Sequence, residues 1–266
     1  MGWWGKLVGG AFGFMLGGPL GALLGGVLGH NFDRGLGRLG QGERFQPGDR
    51  ERVQTAFFTA TFSVMGHLAK ADGRISPQEI ALAEAVMAQM DLDGELRRAA
   101  IRLFEQGKAR DFPLSEVLDQ FRRECHRRTS LIQMFLEIQI QAAYADGELD
   151  AAEEAMLLRI CRHLGVPEYL FRQLQRMIQA ERGFRGAAGG GPKRSEPSLK
   201  DSYALLDLNP QASPDEIKRA YRRLRSQHHP DKLVSKGLPE EMTKLAEQKF
   251  HEIRQAYERI KKARGF

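Results

Sequence analysis

Between Leu7 and Gly29 the chain runs for 23 residues without a charged side chain. At a helical rise of about 1.5 Å per residue, such a run is roughly 35 Å long, enough to cross the hydrocarbon core of a bilayer. Glycines recur in it with a fixed spacing: Gly5, Gly9, Gly13, Gly17, Gly21, Gly25 and Gly29 stand four residues apart. On a single transmembrane helix over residues 7–30, that series forms a smooth stripe along which a second backbone can approach closely. Stripes of this kind drive helix association in lipid, so the sequence predicts a homodimer through Gly9, Gly13, Gly17, Gly21 and Gly25. A cleaved signal peptide fits less well, because no small-x-small site leads into a polar mature segment. Linker glycines would not keep the register.

Basic residues set the orientation. Lys6 alone precedes the span, whereas Arg34, Arg38, Arg44, Arg50 and Arg52 follow it. The excess on the C-terminal side puts residues 1–6 outside and the bulk of the chain in the cytoplasm, with Trp3 and Trp4 as interfacial anchors. Residues 31–49 read as a polar juxtamembrane linker.

From residue 50 to 182 the apolar positions follow helical spacing. Val53, Phe57, Ala60, Val64 and Leu68 make one stripe; Val117, Leu118, Phe121 and Cys125 another; Leu131, Phe135, Ile138 and Ala142 a third. About seven helices fit this stretch and no strand pattern does, so the chain is all-α with a central bundle. An internal echo runs through it. Ala69-Lys-Ala-Asp-Gly-Arg-Ile-Ser-Pro-Gln-Glu79 returns as Ala143-Tyr-Ala-Asp-Gly-Glu-Leu-Asp-Ala-Ala-Glu153. Each copy reads as a helix end, an Asp-Gly turn and a capping box, Ser76 with Glu79 and Asp150 with Glu153. Asp72 and Asp146 could be read as metal ligands, but the acids fall short of a calcium loop, and no metal is expected. The paired motif resembles the TerB-like helical domain. Cys125 and Cys161 have no CxxC or His-paired spacing and read as reduced, buried thiols.

Residues 183–199, rich in glycine and proline, read as a flexible linker whose 17 residues span roughly 20–25 Å. The last segment, residues 200–266, would then be tethered but free to reorient. It carries 15 Lys and Arg against 10 Asp and Glu, most of the whole chain's formal charge of +6.

Within that segment Ser213-Pro-Asp-Glu216 is a capping-box start with proline at the first helical position. Ile217, Ala220, Tyr221 and Leu224 then form an apolar stripe, and Lys218, Arg219, Arg222, Arg223 and Arg225 cover the other face. Pro230 disfavours helical geometry at His229, which predicts a helix stop with His229 and Asp231 in a loop. After Pro239 a second stripe follows, through Met242, Leu245, Ala246, Phe250, Ile253, Ala256, Tyr257 and Ile260. The two helices make an antiparallel hairpin. A basic ridge by itself fits a protein partner or a phosphate backbone equally well. A metal held by His228, His229 and Asp231 is disfavoured, since adjacent side chains around a proline diverge.

The tripeptide His229-Pro230-Asp231, ending a basic Ala-Tyr-Arg-Arg-Leu helix and followed by Lys249-Phe-His-Glu-Ile-Arg-Gln-Ala-Tyr257, resembles the J-domain of DnaJ-type co-chaperones. Asp201-Ser-Tyr-Ala-Leu-Leu206 looks like that family's short first helix. Asp207 stands where family members usually have glycine, and Ser202 where a second aromatic is common. The order of glycine-rich span, TerB-like bundle, linker and C-terminal J-domain resembles the membrane-anchored DnaJ-like co-chaperones of Gram-negative bacteria. This resemblance implies a regulatory protein at the inner membrane, with cytoplasmic domains, that binds a DnaK-type chaperone and stimulates its ATPase. It also implies a link to envelope or capsule signalling. His229, Pro230 and Asp231 would carry the stimulation, and Lys218, Tyr221, Arg222, Arg225 and Lys232 the contact. No catalytic residue, cofactor or nucleic-acid partner is expected on this reading. Two other classes stay open: an adaptor acting through the central helices, and a membrane-tethered nucleic-acid-binding module.

Overall fold

The computed structural model describes residues 17–32, 49–70, 84, 87–88, 92, 94–144, 149–188 and 198–266, and every regular element among them is helical. Helix α1 spans Gly18–Phe32. The bundle follows as α2 (Asp49–Leu68), α3 (Gly94–Gly107), α4 (Leu114–Glu124), α5 (Thr129–Ala143), α6 (Ala151–Leu164) and α7 (Glu168–Ala188). The C-terminal unit is α8 (Leu199–Leu205), α9 (Pro214–Gln227), α10 (Pro230–Ser235), a 3-10 turn at Glu240–Met242, and α11 (Thr243–Arg264).

Local chemistry starts and stops these helices where the sequence indicates. At α6 the Asp150 carboxylate accepts from the amides of Ala152 at 2.6 Å and Glu153 at 2.8 Å, while Glu153 accepts from the Asp150 amide at 3.2 Å. Ser213 and Glu216 cap α9 in the same reciprocal way. Gly165 ends α6 with φ +69°, and Gly265 ends α11 with φ +73°, a left-handed turn that costs glycine little. The first member of the echo, from Asp72 through Glu79, and the turn at Asp146 lie outside the described residues, as does the metal reading attached to them.

Helix α2 is the axis of the bundle. The sequence gives it a single stripe, but from Val53 to Leu68 only His67 escapes burial. Thr55, Thr61 and Ser63 sit inside because their hydroxyls bond back along the helix, as Thr61 Oγ1 does to the Phe57 carbonyl at 2.7 Å and Ser63 Oγ to that of Thr59 at 2.7 Å. Periodicity counts such residues as polar, and so the second buried face goes unseen. Helix α3 lies against α2 with backbones touching: a Cβ on Gly66 would strike the Phe104 carbonyl oxygen, and one on Gly107 that of Ser63. Cys125 and Cys161 are buried and free, and burial pushes both thiols up to about 12.

Two expectations need correction. The continuous helix over residues 7–30 is not what the described part shows: Gly17 and Gly18 have φ +56° and +58°, left-handed values that a right-handed helix cannot pass through. Helix α1 starts there, with Gln120 of α4 bridging its end by accepting from the Leu20 amide and donating to the Gly17 carbonyl, both at 2.9 Å. Leu20, Leu24 and Val27 pack into the bundle core. Gly17 therefore ends the four-residue stripe, Gly21 and Gly25 fall on α1, and Gly9 and Gly13 lie outside the described residues. Among the described residues no helix is long and apolar enough to cross a membrane.

The second correction concerns the segment read as a linker. Residues 183–188 continue α7, and the C-terminal unit is docked on the bundle rather than free. Leu233, Leu238, Met242, Leu245 and Ala246 join the bundle's apolar core, and Met177 of α7 joins the core of the C-terminal unit. Polar contacts ring this seam: Gln54 to the Leu238 carbonyl at 3.4 Å, Lys236 to Ser130 at 2.9 Å, and Arg176 to Asp207 at 3.1 Å. Gly237 meets Val53 so closely that a Cβ would lie 2.7 Å from its methyl carbon, and its φ of +105° is open to glycine.

Candidate functional site

Helix α9 carries the basic ridge. Ile217, Ala220 and Leu224 are buried, Ile217 and Leu224 in one core with residues of α8 and α11, which leaves Lys218, Arg219, Arg222, Arg223 and Arg225 exposed. Lys218, Arg222 and Arg225 lie at i, i+4 and i+7 and share one side of the helix. The ridge is braced from below: Tyr221 stacks on Tyr257 of α11 with centroids 4.1 Å apart and planes 10° apart. Lys218 also lies over the Phe266 ring, 5.4 Å from its centroid.

At the end of α9, His228 caps the helix, its amide donating to the Leu224 carbonyl at 3.0 Å, and His229 takes extended geometry. The sequence puts Asp231 in a loop. Instead Pro230 opens the short helix α10, because the first helical position needs no amide hydrogen and its ring already has helical φ. Asp231 is consequently held out on the first turn of α10, its side chain 92% exposed. His229 lies with its ring edge-on to Phe250 of α11 at 5.4 Å between centroids, and its Nδ1 is 4.0 Å from Asp231. Lys232 points back across the corner to Ser226 at 2.8 Å. The ridge, Asp231 and Lys232 are thus open to solvent, while Tyr221, His229 and Pro230 are half-buried.

Asp207 explains its own oddity. Its φ is +54°, the left-handed region where glycine costs least, and its carboxylate is tied to Arg176 of the bundle. Ser202, in place of an aromatic, is fully buried and donates to the Ser198 carbonyl at 3.2 Å.

The charges on the buried side of the corner have no strong local signature in the sequence. Here His228, Glu137 of α5, Glu181 of α7, and Lys249 and Glu252 of α11 are all buried. Glu137 stands 3.6 Å from His228 Nε2 and 3.6 Å from Lys249 Nζ, and Lys249 is also in direct contact with Glu181. Gln133 donates to Glu137 at 3.1 Å, and Gln141 to Glu181 at 3.2 Å. Beside them lies a cavity of about 20 Å³ lined by Glu137, Gln141, Gln248 and Lys249 among others, the size of a single water.

The protonation pattern follows. Burial lowers the His228 pKa more than Glu137 can raise it, so the imidazole is neutral at neutral pH. Burial would lift Glu137, but its charged surroundings outweigh that and its pKa falls. A charged His228 cannot be the cause if burial keeps it neutral, so Lys249 and Gln133 hold Glu137 ionised. Burial also opposes the Lys249 charge, but Glu181 and Glu137 together raise its pKa. Glu181 is raised by burial despite Lys249. One cation faces three buried carboxyls, Glu137, Glu181 and Glu252; the pKa of Glu137 falls and that of Glu181 rises. The signals were present but quiet: Glu137 is the sole charged residue in α5, and Lys249 interrupts the apolar stripe of α11.

Comparison with known proteins places these parts in families. Residues 1–39 match the family described as the co-chaperone DjlA transmembrane domain, residues 58–176 the tellurite resistance protein TerB family, and residues 201–264 the DnaJ domain. Over 267 residues the chain is 45% identical to a co-chaperone protein DjlA of Shewanella oneidensis, covering 100% of this chain and 99% of that one. It is 45% identical over 274 residues to its Escherichia coli K12 counterpart, both chains covered completely, and 44% identical over 277 residues to that of Photobacterium profundum, with 99% of each covered. No solved structure matches.

Proposed function

Because the chain belongs to the DjlA family of membrane-anchored J-domain co-chaperones, we propose that it docks a DnaK-type chaperone on the ridge of α9 and stimulates that partner's ATP hydrolysis through His229, Pro230 and Asp231. The observation that carries this reading is the exposure of Lys218, Arg222, Arg225, Asp231 and Lys232 while the opposite side of the J-domain is buried on the bundle. Charges at a rim steer a partner and fix its register, which suits an acidic chaperone face. The nucleotide chemistry belongs to the partner, and this chain contributes no catalytic group. The arginines after the charge-free run favour a cytoplasmic J-domain and an extracytoplasmic N-terminus. Pairing of anchors through Gly9 and Gly13 would give a homodimer and raise the local concentration of J-domains.

The test is single-turnover ATPase of a DnaK-type chaperone with the full chain and with His229→Gln. Because the His229 ring is half-exposed, the variant should keep the parent melting temperature and lose stimulation. Stimulation retained by His229→Gln would refute the assignment.

A further inference from the structure

The corner is fastened from below by the bundle. Three contacts hold it: His228 against Glu137, the His229 ring on Phe250, and Leu233, whose amide donates to the His229 carbonyl at 3.0 Å and whose side chain is buried in the bundle core. The first and third depend on the TerB-like helices rather than on the J-domain. Of the two, only His228 adjoins the corner in sequence, and the two histidines straddle the junction of α9 and α10. Whatever orients the His228 ring also fixes the backbone turn that aims His229.

We propose that Glu137, on helix α5 of the TerB-like bundle, is a positioning residue for the chaperone-stimulating corner, acting through His228 and Lys249. It rests on the co-chaperone reading given above. The Glu137 carboxylate stands 3.6 Å from His228 Nε2, beyond hydrogen-bond length, and is the charged group nearest that buried, otherwise unpartnered nitrogen, so its field favours the neutral ring with Nε2–H toward the bundle. Its other oxygen faces Lys249, the residue before Phe250, on which the His229 ring rests. Both histidines of the corner are therefore located relative to one buried anion. Glu181, Glu252, Gln133 and Gln141 also face that anion or Lys249. The TerB-like domain thereby becomes part of the working J-domain rather than a spacer ahead of it.

The geometry separates this role from simple glue. Replacing Glu137 leaves Lys249 paired with Glu181, so no buried cation is orphaned, and the apolar seam through Leu233, Leu238 and Met242 is untouched. The ridge that captures the partner lies on another face. Glu137→Leu keeps the volume and removes the acceptor, whereas Glu137→Gln keeps an acceptor oxygen in place.

The experiment uses the full chain in nanodiscs with a DnaK-type chaperone, reading maximal stimulation and the half-saturating concentration separately. Glu137→Leu should lower maximal stimulation about threefold or more while moving half-saturation by less than about twofold, and Glu137→Gln should restore the maximum. In NMR spectra the His228 and His229 ring resonances should shift in the leucine variant and return in the glutamine variant. Full stimulation by Glu137→Leu, or equal losses in the two variants, would overturn the proposal. If His229→Gln in the same assay still stimulates, the assignment of the corner falls, and this inference with it; if His229→Gln is inactive while Glu137→Leu is fully active, only the inference falls.

Discussion

Lysine 249 is the sole cation described within hydrogen-bonding or ion-pair reach of Glu137 and Glu181 in the seam, and its removal should release the J-domain from the bundle. In Lys249→Met the side-chain volume stays, but two buried carboxyls lose their counter-charge. Breaking a buried pair from one side costs about 3–5 kcal/mol, because the surviving charge is left unsolvated. At about 1.36 kcal/mol per decade, the docked-to-undocked ratio falls by roughly two to nearly four orders of magnitude. Burial of a single leucine such as Leu238 is worth about 1.5–3 kcal/mol, so the loss is comparable to that of one or two of the seam's apolar side chains. The pH dependence is diagnostic. In the parent, His228 has a lowered pKa, so its contribution is complete above its ordinary value near 6.5 and is lost as pH falls below that. Glu181 has a raised pKa and works the other way, gaining as pH falls toward 4.5, so the parent profile should be shallow. In Lys249→Met both carboxyls favour the protonated form, and His228 is freed of the nearby cation that opposes its protonation. Docking should then recover as pH falls from 7 to 5. Spin labels at His126→Cys on the bundle and Lys262→Cys on α11, both exposed, would report the separation; buried Cys125 and Cys161, their thiols pushed to about 12, should not compete for label. One narrow distance in the parent, a broad distribution in Lys249→Met at pH 7, and partial narrowing at pH 5 are expected. A narrow, parent-like distribution in the variant at pH 7 would refute the account of the seam.

Reversing Arg222 to Glu puts a carboxylate in the middle of the exposed ridge and should weaken chaperone binding by about 1 kcal/mol or more, read by titration at low and high salt; indifference to both salt and substitution would make the ridge a solvated face. Gly66→Ala drives a methyl group into the Phe104 carbonyl and should destabilise the bundle by about 3 kcal/mol in urea unfolding, because a backbone neighbour cannot swing aside. For the anchor, the double variant Gly9→Leu/Gly13→Leu should reduce crosslinked dimer in membranes, whereas leucine at Gly25, which lies on α1 beyond the left-handed break at Gly17, should not; equal dimer in the parent and both variants would remove the glycines from the association.

Much of this protein is written locally. Capping boxes at Ser213 and Asp150, the helix stop at His229 and the ridge along α9 each depend on residues within a few positions of one another. Hydrogen bonds to a neighbouring amide and the 3.6-residue period do not need the rest of the molecule. What the sequence leaves open depends on partners distant in the chain. Whether Thr59 and Ser63 face a core is decided by which helices lie across them, and whether Gly17 continues a helix is decided by Gln120, over a hundred residues away. Glu137 and Lys249 read as solvated charges until α5 and α11 are brought together, when the loss of water makes them a pair. The docked J-domain belongs to the same class. Composition makes residues 183–199 look like a tether, since glycine and charge report chain flexibility, but the orientation of the domain is set by burial of Leu233, Leu238 and Met242 and by one buried cation, none of which has a local signature.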